Sequence, residues 1–530
     1  MRAGSLSPNA PDRSRRIAEA AYIGAKINGN LSDVSELLTE ARAADPNARD
    51  SLETAVAAAY ALLDGDGDIV TAHRLLVGAI EVNERRFDPD DPFLIEALHV
   101  LFQVCLWAER GDLFPPFDAV VADLGQTLPE TLWFQNVVLR DPVRVSTGAL
   151  ARLDQAITGL DIETDVVRIE RIVRASTYVD RVSSCRDALE RVVEDGRRGG
   201  AIATAISALM QVCVDDYFIG EWGTARQLAN EGVRLCRVHG YGLPRWCFEL
   251  GNALVAAGRG EREQVRVATD AMLNWAVPRG VGGVVGFAQQ ALTMDALANG
   301  DWEGAFQHAA RISPPGELRQ HVGSSLWVAL ALVEGAALSD HRQEAREHVA
   351  EMRRQRVERI SPRMAMIVAG AEAMITEGQD GLAFFDKALR IRGADRWTFE
   401  MARIRLAYGQ RLRRERSVAQ ARVQLELAAD VFRRLQARPW TARATTELRA
   451  AGVTADVPSA GREALTAQER EVATLAARGL SNKQIAERMF LSHRTISAHL
   501  YRIFPKLGIT SRAALRDALG SSPAMLSSDT

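Results

Sequence analysis

The chain has 530 residues, enough for about three or four ordinary domains or for a long repeat array that carries a small module. Apolar residues make up 47% and charged residues 25%, values that are typical of folded globular proteins and exclude a generally disordered, collagen-like or coiled-coil chain. The net charge of −3 indicates no partner until the chain is divided.

The N-terminal residues and the apolar runs predict a cytoplasmic protein without a membrane segment. Residues 1–30 carry arginines and contain no continuous apolar stretch, so a secretory signal is not expected. The longest apolar runs, such as Leu326 to Val333, are far shorter than the roughly 20 residues of a membrane-spanning helix. The cysteines form no C-x-x-C pair, which predicts buried reduced thiols at Cys105, Cys185, Cys213, Cys236 and Cys247.

Residues 1–450 are predicted to form an all-α repeat region. Apolar residues recur at helical spacing, as in Val423, Leu427 and Val431, and the breaks are short clusters of Gly, Pro, Asp or Asn. Gly220-Glu221-Trp222 returns 80 residues later as Gly300-Asp301-Trp302. Small or apolar residues at steps of 38 to 40 predict stacked helix pairs in a tetratricopeptide-like α-solenoid: Ala225, Val265, Ala305, Ala345, Ala383 and Ala421.

No enzyme chemistry is expected in this region. No lysine follows a glycine, so there is no P-loop, and no H-E-x-x-H or G-x-S-x-G sequence occurs. No metal or cofactor is predicted. Trp222, Trp302 and Trp397 are expected to fill space between helices more than to line a groove. A solenoid surface suits a ligand or protein partner whose identity the sequence does not give, and it equally suits a structural scaffold.

The C-terminal segment differs from the rest in charge. Residues 461–520 contain ten Lys/Arg and five Asp/Glu, so this segment carries +5 and the remainder −8. Basic surface of this kind is typical of a polyanion partner. We predict a linker at 451–461, a folded module at 462–520 and a disordered tail at 521–530.

Four short helices are predicted in the module. Thr466 with Glu469, and Ser481 with Gln484, have the spacing of capping boxes, and Gly479 is a candidate C-cap. Ser492 and Ser511 precede the third and fourth helices. Because the second and third helices are joined by a very short turn, the arrangement is typical of a helix-turn-helix.

The third helix has two distinct faces. Ile496, Leu500, Ile503 and Leu507 fall in one narrow apolar stripe suited to packing. The opposite face is small, hydrogen-bonding and cationic, as a helix in the major groove of DNA requires. It contains Arg494, Ser497, Ala498, Tyr501 and Arg502.

The segment resembles the LuxR/GerE helix-turn-helix domain. The likeness lies in Leu465-Thr466, in Gly479-Leu480-Ser481-Asn482-Lys483-Gln484-Ile485-Ala486, in Arg494-Thr495-Ile496 with His499-Leu500, and in Lys506-Leu507-Gly508. The resemblance implies binding of double-stranded DNA. It places Ser497, Ala498, Tyr501 and Arg502 toward bases, and it places Asn482, Lys483, Arg494, Thr495, His499 and Lys506 at or near phosphates.

Two positions depart from the family pattern. Many relatives have a basic residue where Ser497 stands, and often another where Tyr501 stands, so the base preference does not transfer. Pro505 is expected to end the third helix early because it lacks an amide hydrogen. The family resemblance also implies a homodimer contact at Leu515 and Leu519 in the fourth helix, and therefore a pseudo-palindromic site.

Residues 399–452 resemble the end of large LuxR regulators with helical-repeat sensors, the group typified by the maltose activator. The ATPase domain of those relatives is missing here. The sequence thus predicts a DNA-binding transcriptional regulator with a solenoid sensor or interaction arm. The alternatives are a helical-repeat scaffold whose module no longer reads DNA, and an enzyme hidden in the body.

Overall fold

The structure is a computed structural model that describes residues 9–28, 31–45, 51–83, 88–452, 467–489, 495–496, 499–500, 503 and 515. All regular secondary structure in these residues is helical, as predicted. The chain divides into two compact units, Met1–Val453 and Thr454–Thr530. We call the first unit the body and the second the module.

The first third of the body contains nine helices among its described residues. Several begin at a side chain that accepts from free backbone amides, such as Asp91, Ser146 and Asp165. They are Ala10–Ile23 (α1), Leu31–Ala44 (α2), Leu52–Tyr60 (α3), Ile69–Val82 (α4), Pro92–Ala108 (α5), Pro115–Leu124 (α6), Glu130–Phe134 (α7), Thr147–Thr158 (α8) and Val166–Ser176 (α9).

The remaining body helices follow one another as antiparallel neighbours with short turns, and each packs against the next. They are Arg186–Arg197 (α10), Ile202–Ile219 (α11), Trp222–His239 (α12), Arg245–Arg259 (α13), Arg262–Ala276 (α14), Gly282–Asn299 (α15), Trp302–Ile312 (α16), Ser325–Leu338 (α17), Arg342–Arg354 (α18), Pro362–Ile375 (α19), Gly378–Leu389 (α20), Thr398–Arg414 (α21), Val418–Arg434 (α22) and Arg438–Ala450 (α23).

Turns in the middle of the body recur every 20 residues. Five glycines at that spacing have a left-handed backbone with φ between +67° and +91°, a conformation that ends helices and favours glycine. Two helices therefore occupy 40 residues, which matches the predicted repeat length. The glycines are Gly220, Gly240, Gly260, Gly280 and Gly300.

Most of the small repeat residues are buried, but one prediction is wrong. Ala225, Ala305 and Ala421 are fully buried, whereas Ala383 is exposed. Gly381 takes the expected position in α20, since a Cβ there would lie 2.3 Å from the carbonyl oxygen of Thr376. The regular step fails because Gly381 lies two residues before Ala383, about 200° around the helix.

The tryptophans pack between helices, as expected. Trp222 and Trp397 are buried, and Trp302 is half-buried beneath the guanidinium of Arg443, which lies 4.6 Å from the ring centroid. All five cysteines are buried as well.

The helical array returns on itself at both ends. The Trp222 and Phe399 rings pack with centroids 4.8 Å apart, which joins α12 to α21. The Tyr241 hydroxyl donates to the Ala25 carbonyl oxygen at 3.0 Å, and the Leu243 amide donates to the Asp64 carbonyl oxygen at 3.0 Å. Early and late segments thus contact the middle of the body and enclose an interior.

Helix α11 is long and apolar enough to cross a membrane by length and composition, with a mean hydropathy of 1.4 over its 18 residues. The sequence analysis did not anticipate such a helix. In the body, 56% of this window is buried, and α11 packs against α10, α12 and α13.

Candidate DNA-binding surface

The described part of the module begins with Ala467–Ala477 (α24) and Asn482–Met489 (α25). The predicted second capping box is present. The Ser481 amide donates to Gln484 Oε1 at 2.9 Å, and the Gln484 amide donates to Ser481 Oγ at 3.4 Å. These reciprocal bonds satisfy free donors at the start of α25 and fix its first residue. Thr466 of the other predicted box lies outside the described residues.

Gly479 ends α24 as predicted. Its φ is +89°, its amide donates to the Ala476 carbonyl oxygen at 3.1 Å, and the Leu480 amide donates to the Leu475 carbonyl oxygen at 3.3 Å. This is the hydrogen-bond pattern of a Schellman cap. A Cβ at this glycine would meet no atom within 4 Å, so the backbone conformation alone favours glycine. The cap sets the short turn between α24 and α25.

A small apolar core holds the described helices of the module together. Its buried members come from α24, from α25 and from the region of the predicted third and fourth helices. They are Val472, Ala473, Leu475, Ala476, Ile485, Ala486, Ile496, Leu500, Ile503 and Leu515.

The third-helix packing stripe is confirmed at three of its four residues. Ile496 and Ile503 are fully buried and Leu500 is 5% exposed, while Leu507 lies outside the described residues. This burial fixes which side of the segment faces the core. Thr495 and His499 flank the stripe and are half-buried, and the His499 Nδ1 atom has no hydrogen-bond partner.

Two of the residues assigned to phosphate contacts lie at the start of α25. Asn482 is half-buried and Lys483 is exposed, so the lysine ammonium is open to an anionic partner. The other assigned DNA contacts lie outside the described residues: Arg494, Ser497, Ala498, Tyr501, Arg502 and Lys506.

The predicted dimer residues have different outcomes. Leu515 is fully buried in the module core of the single chain, so its side chain is already used for packing. Leu519 lies outside the described residues. A dimer contact at this helix stays a prediction, and it would need side chains other than Leu515.

Two exposed polar residues of α25 were given no DNA contact by the sequence analysis. Gln484 and Arg488 are both exposed, and their four-residue spacing places them on one face of the helix. The cationic side chain at that spacing was the available signal. Together with Lys483, these side chains give α25 a polar and cationic surface of the kind that contacts a DNA backbone.

Comparison with known families identifies the same segment. Residues 463–518 match the family described as bacterial regulatory proteins, luxR family, with the short name GerE. The match covers the module and leaves the body unmatched.

Individual relatives agree with this result over the same short region. An HTH-type transcriptional regulator of Mycobacterium tuberculosis is 48% identical over 60 residues, which are 11% of this chain and 7% of that protein. The Fimbriae Z protein of Salmonella typhimurium is 47% identical over 62 residues, which are 11% of this chain and 30% of that protein. The M. tuberculosis transcriptional activator DevR/DosR is 48% identical over 48 residues, 9% of this chain and 22% of that protein.

Proposed function

We propose, on the premise that residues 463–518 are a LuxR-family helix-turn-helix domain, that the protein is a DNA-binding transcriptional regulator whose body is a sensor or interaction arm. The match of that segment carries the proposal. The aligned region is only 7% of the first relatives' length, so the activity of the whole protein is inferred from the module and from the body's own structure.

The described geometry supports DNA binding in two ways. Burial of Ile496, Leu500 and Ile503 turns one side of the third-helix segment to the core and leaves the other side for a partner. Lys483 and Arg488 add exposed cations on α25, where the first helix of a helix-turn-helix pair crosses the DNA backbone. Base reading is assigned to Ser497, Ala498, Tyr501 and Arg502.

The remaining assignments belong to the same proposal. The module spans 462–520, works as a homodimer on a pseudo-palindromic site, and acts in the cytoplasm. The body is a tetratricopeptide-like array that needs no catalytic group, metal or cofactor for this function. A ligand or protein partner of the body sets the activity of the regulator.

Selection of DNA by the full chain tests the proposal. The protein is incubated with a library of randomised double-stranded DNA, and bound molecules are sequenced over several rounds. We expect enrichment of one pseudo-palindromic sequence. The double variant Arg494→Ala/Arg502→Ala is expected to lose this enrichment, since it removes cations from the proposed reading face.

A matched control removes the same charge elsewhere. Arg198 and Arg342 are exposed arginines of the body, with side chains 76% and 65% accessible, and the variant Arg198→Ala/Arg342→Ala should select the same sequence as the wild type. If the folded wild-type protein enriches no sequence, the interaction scaffold becomes the better account. If it selects DNA at one half-site as a monomer, the proposed homodimer is wrong.

A further inference from the structure

An internal cavity of about 130 Å³ lies in the body among α5, α9, α11 and α13. Two π-helical segments, Gly24–Asn28 and Ala61–Asp66, contribute Lys26 and Asp64 to its wall. The volume is close to that of the engineered cavity of about 150 Å³ that admits benzene. It therefore suits a small molecule, and the lining is not uniformly apolar.

One end of the cavity carries two cations and two carboxylates. Lys26 and Arg174 both pair with Glu170, and the Lys26 Nζ lies 3.8 Å from Glu170 Oε2. Ser207 Oγ donates to Glu170 Oε1 at 2.8 Å. Glu170 Oε2 is buried and has no hydrogen-bond partner. Arg174 and Ser207 thus occupy one oxygen of the carboxylate and leave the other open.

Lys26 is the unsatisfied cation of this group. Its side chain is only 7% exposed, and its ammonium makes no hydrogen bond to the described residues beyond the long ion pair with Glu170. Burial lowers the Lys26 pKa, and Glu170 opposes that shift. An ammonium held this way lacks most of the acceptors that water would provide.

Asp64 is the unsatisfied anion. Its carboxylate lines the cavity and makes neither a hydrogen bond nor an ion pair within 4.0 Å to the described part of the chain. Burial raises the pKa of Asp64 to about 6, and the more distant charges of Arg174 and Lys26 only partly oppose the shift. Since a buried charge without partners is costly, its retention here indicates a site that a ligand completes.

The other end of the cavity is aromatic. The rings of Tyr178 and Trp327 pack with centroids 4.7 Å apart, and those of Trp107 and Phe287 pack at 5.8 Å; all four residues line the cavity. Glu170 and Tyr178 are eight residues apart along α9 and its 3-10 extension, which corresponds to about 12 Å of helical rise. A polar end and an apolar end are thus separated by about the length of a small amphipathic molecule.

We propose that this cavity binds an apolar α-amino acid, of about leucine to phenylalanine size, as a zwitterion. The ammonium group of the ligand donates to Asp64 and to Glu170 Oε2, and the ligand carboxylate accepts from Lys26. The side chain lies against the aromatic end. Both charged groups are needed because a simple acid would face two carboxylates, and a simple amine would leave Lys26 without an acceptor.

Titration calorimetry of the full chain with defined probes tests the proposal. L-Phenylalanine and L-leucine are compared with 3-phenylpropionate, which lacks the ammonium group, and with 2-phenylethylamine, which lacks the carboxylate. We expect at least one of the two amino acids to bind, and both single-charge analogues to bind at least about tenfold more weakly. Equal or tighter binding of either analogue would overturn the zwitterion assignment.

Two variants test the residues. Asp64→Asn and Lys26→Met should each weaken amino-acid binding by about tenfold to a hundredfold. The matched controls Asp66→Asn and Lys387→Met alter exposed residues of the same types and should bind like the wild type. Circular dichroism checks that each variant is folded, and if Lys26→Met does not fold, Asp64→Asn and the two analogues still decide.

Absence of binding by both amino acids to the folded wild type would contradict the proposal. The experiment contains no DNA, so its failure leaves the proposed regulator function untouched. Failure of DNA selection would likewise leave the cavity assignment standing.

Discussion

The body and the module treat charged side chains in opposite ways. The body buries Lys26, Glu170, Arg363 and Arg403, each less than 9% exposed. Among the described residues of the module, Glu469 is the one buried charge, and Lys483 and Arg488 are exposed. The core of the module is otherwise apolar.

The difference indicates where each unit meets its partner. Cations on a surface are held at little cost and attract a polyanion from solution. Charges inside a protein are costly unless paired, so an incompletely paired group such as Lys26, Asp64 and Glu170 indicates a small partner that enters the interior. By this comparison, the module acts through its outside and the body through its inside.

The largest effect should come from a completed buried network in the body. Arg363 is fully buried, with Nη2 2.6 Å from Glu400 Oε1 and Nη1 3.4 Å from Asp180 Oδ1. Arg363→Ala leaves both carboxylates without their cation and should destabilise the body by about 3–5 kcal/mol in urea unfolding. Arg342→Ala breaks an exposed pair with Glu377 at 3.3 Å and should cost at most about 1 kcal/mol. Equal effects would show that the buried pairing adds nothing.

The module should lose stability through its apolar core. Ile485 is fully buried, and Ile485→Ala removes packing worth about 2–5 kcal/mol. Because the chain forms two compact units, we expect the loss in the module's hydrogen-exchange protection and unchanged protection in the body. Equal loss in both units would contradict independent cores.

Asp64→Asn should stabilise the ligand-free protein while weakening the amino-acid site. A carboxyl whose folded pKa is about 6, above the unfolded value of about 3.9, destabilises the folded state when ionised. The penalty is complete above pH 6, falls as the pH is lowered, and is absent below the unfolded pKa.

We therefore expect Asp64→Asn to gain up to about 3 kcal/mol at pH 8 and to match the wild type near pH 3.5, if both remain folded there. Urea unfolding at several pH values measures the difference between the two proteins. A variant that is less stable than the wild type at pH 8 would mean that Asp64 is already well partnered.

The smallest effect concerns the cap of α24. Gly479→Ala places a Cβ on a residue with φ of +89° and should destabilise the module by about 1 kcal/mol. Gly223→Ala, in a helix with no atom within 4 Å of the new Cβ, should be neutral or slightly stabilising. Hydrogen exchange of α24 reports the first effect, and a fall in protection only with Gly223→Ala would reverse the expectation.

Local signals in the sequence were sufficient for most of the module. Ser481 with Gln484, Gly479, and the spacing of Ile496 and Leu500 each depend on neighbours a few residues away, so the pattern determines the structure directly. The repeat length of the body was predictable for the same reason, since turns at fixed intervals repeat along the chain. Ala383 was placed wrongly because the turn before α20 shifts the helix relative to the regular step.

The cavity could not be predicted in this way. Lys26, Asp64 and Glu170 are far apart in sequence and lie on three different elements. They meet only because the early segments fold back onto the middle of the body, through contacts such as Tyr241 with Ala25. No local pattern records that closure. The base-reading residues of the module remain predictions from the family resemblance.

The most direct test of the account is the affinity of the full chain for its selected DNA as a function of salt. We predict a linear fall of log affinity with log salt, with a slope of about −0.9 for each neutralised phosphate, and a slope about one unit shallower for Lys483→Ala. The control Lys387→Ala should keep the wild-type slope. A slope near zero, or an unchanged slope for Lys483→Ala together with the double variant Arg494→Ala/Arg502→Ala, would contradict the proposal that the module binds DNA through these residues.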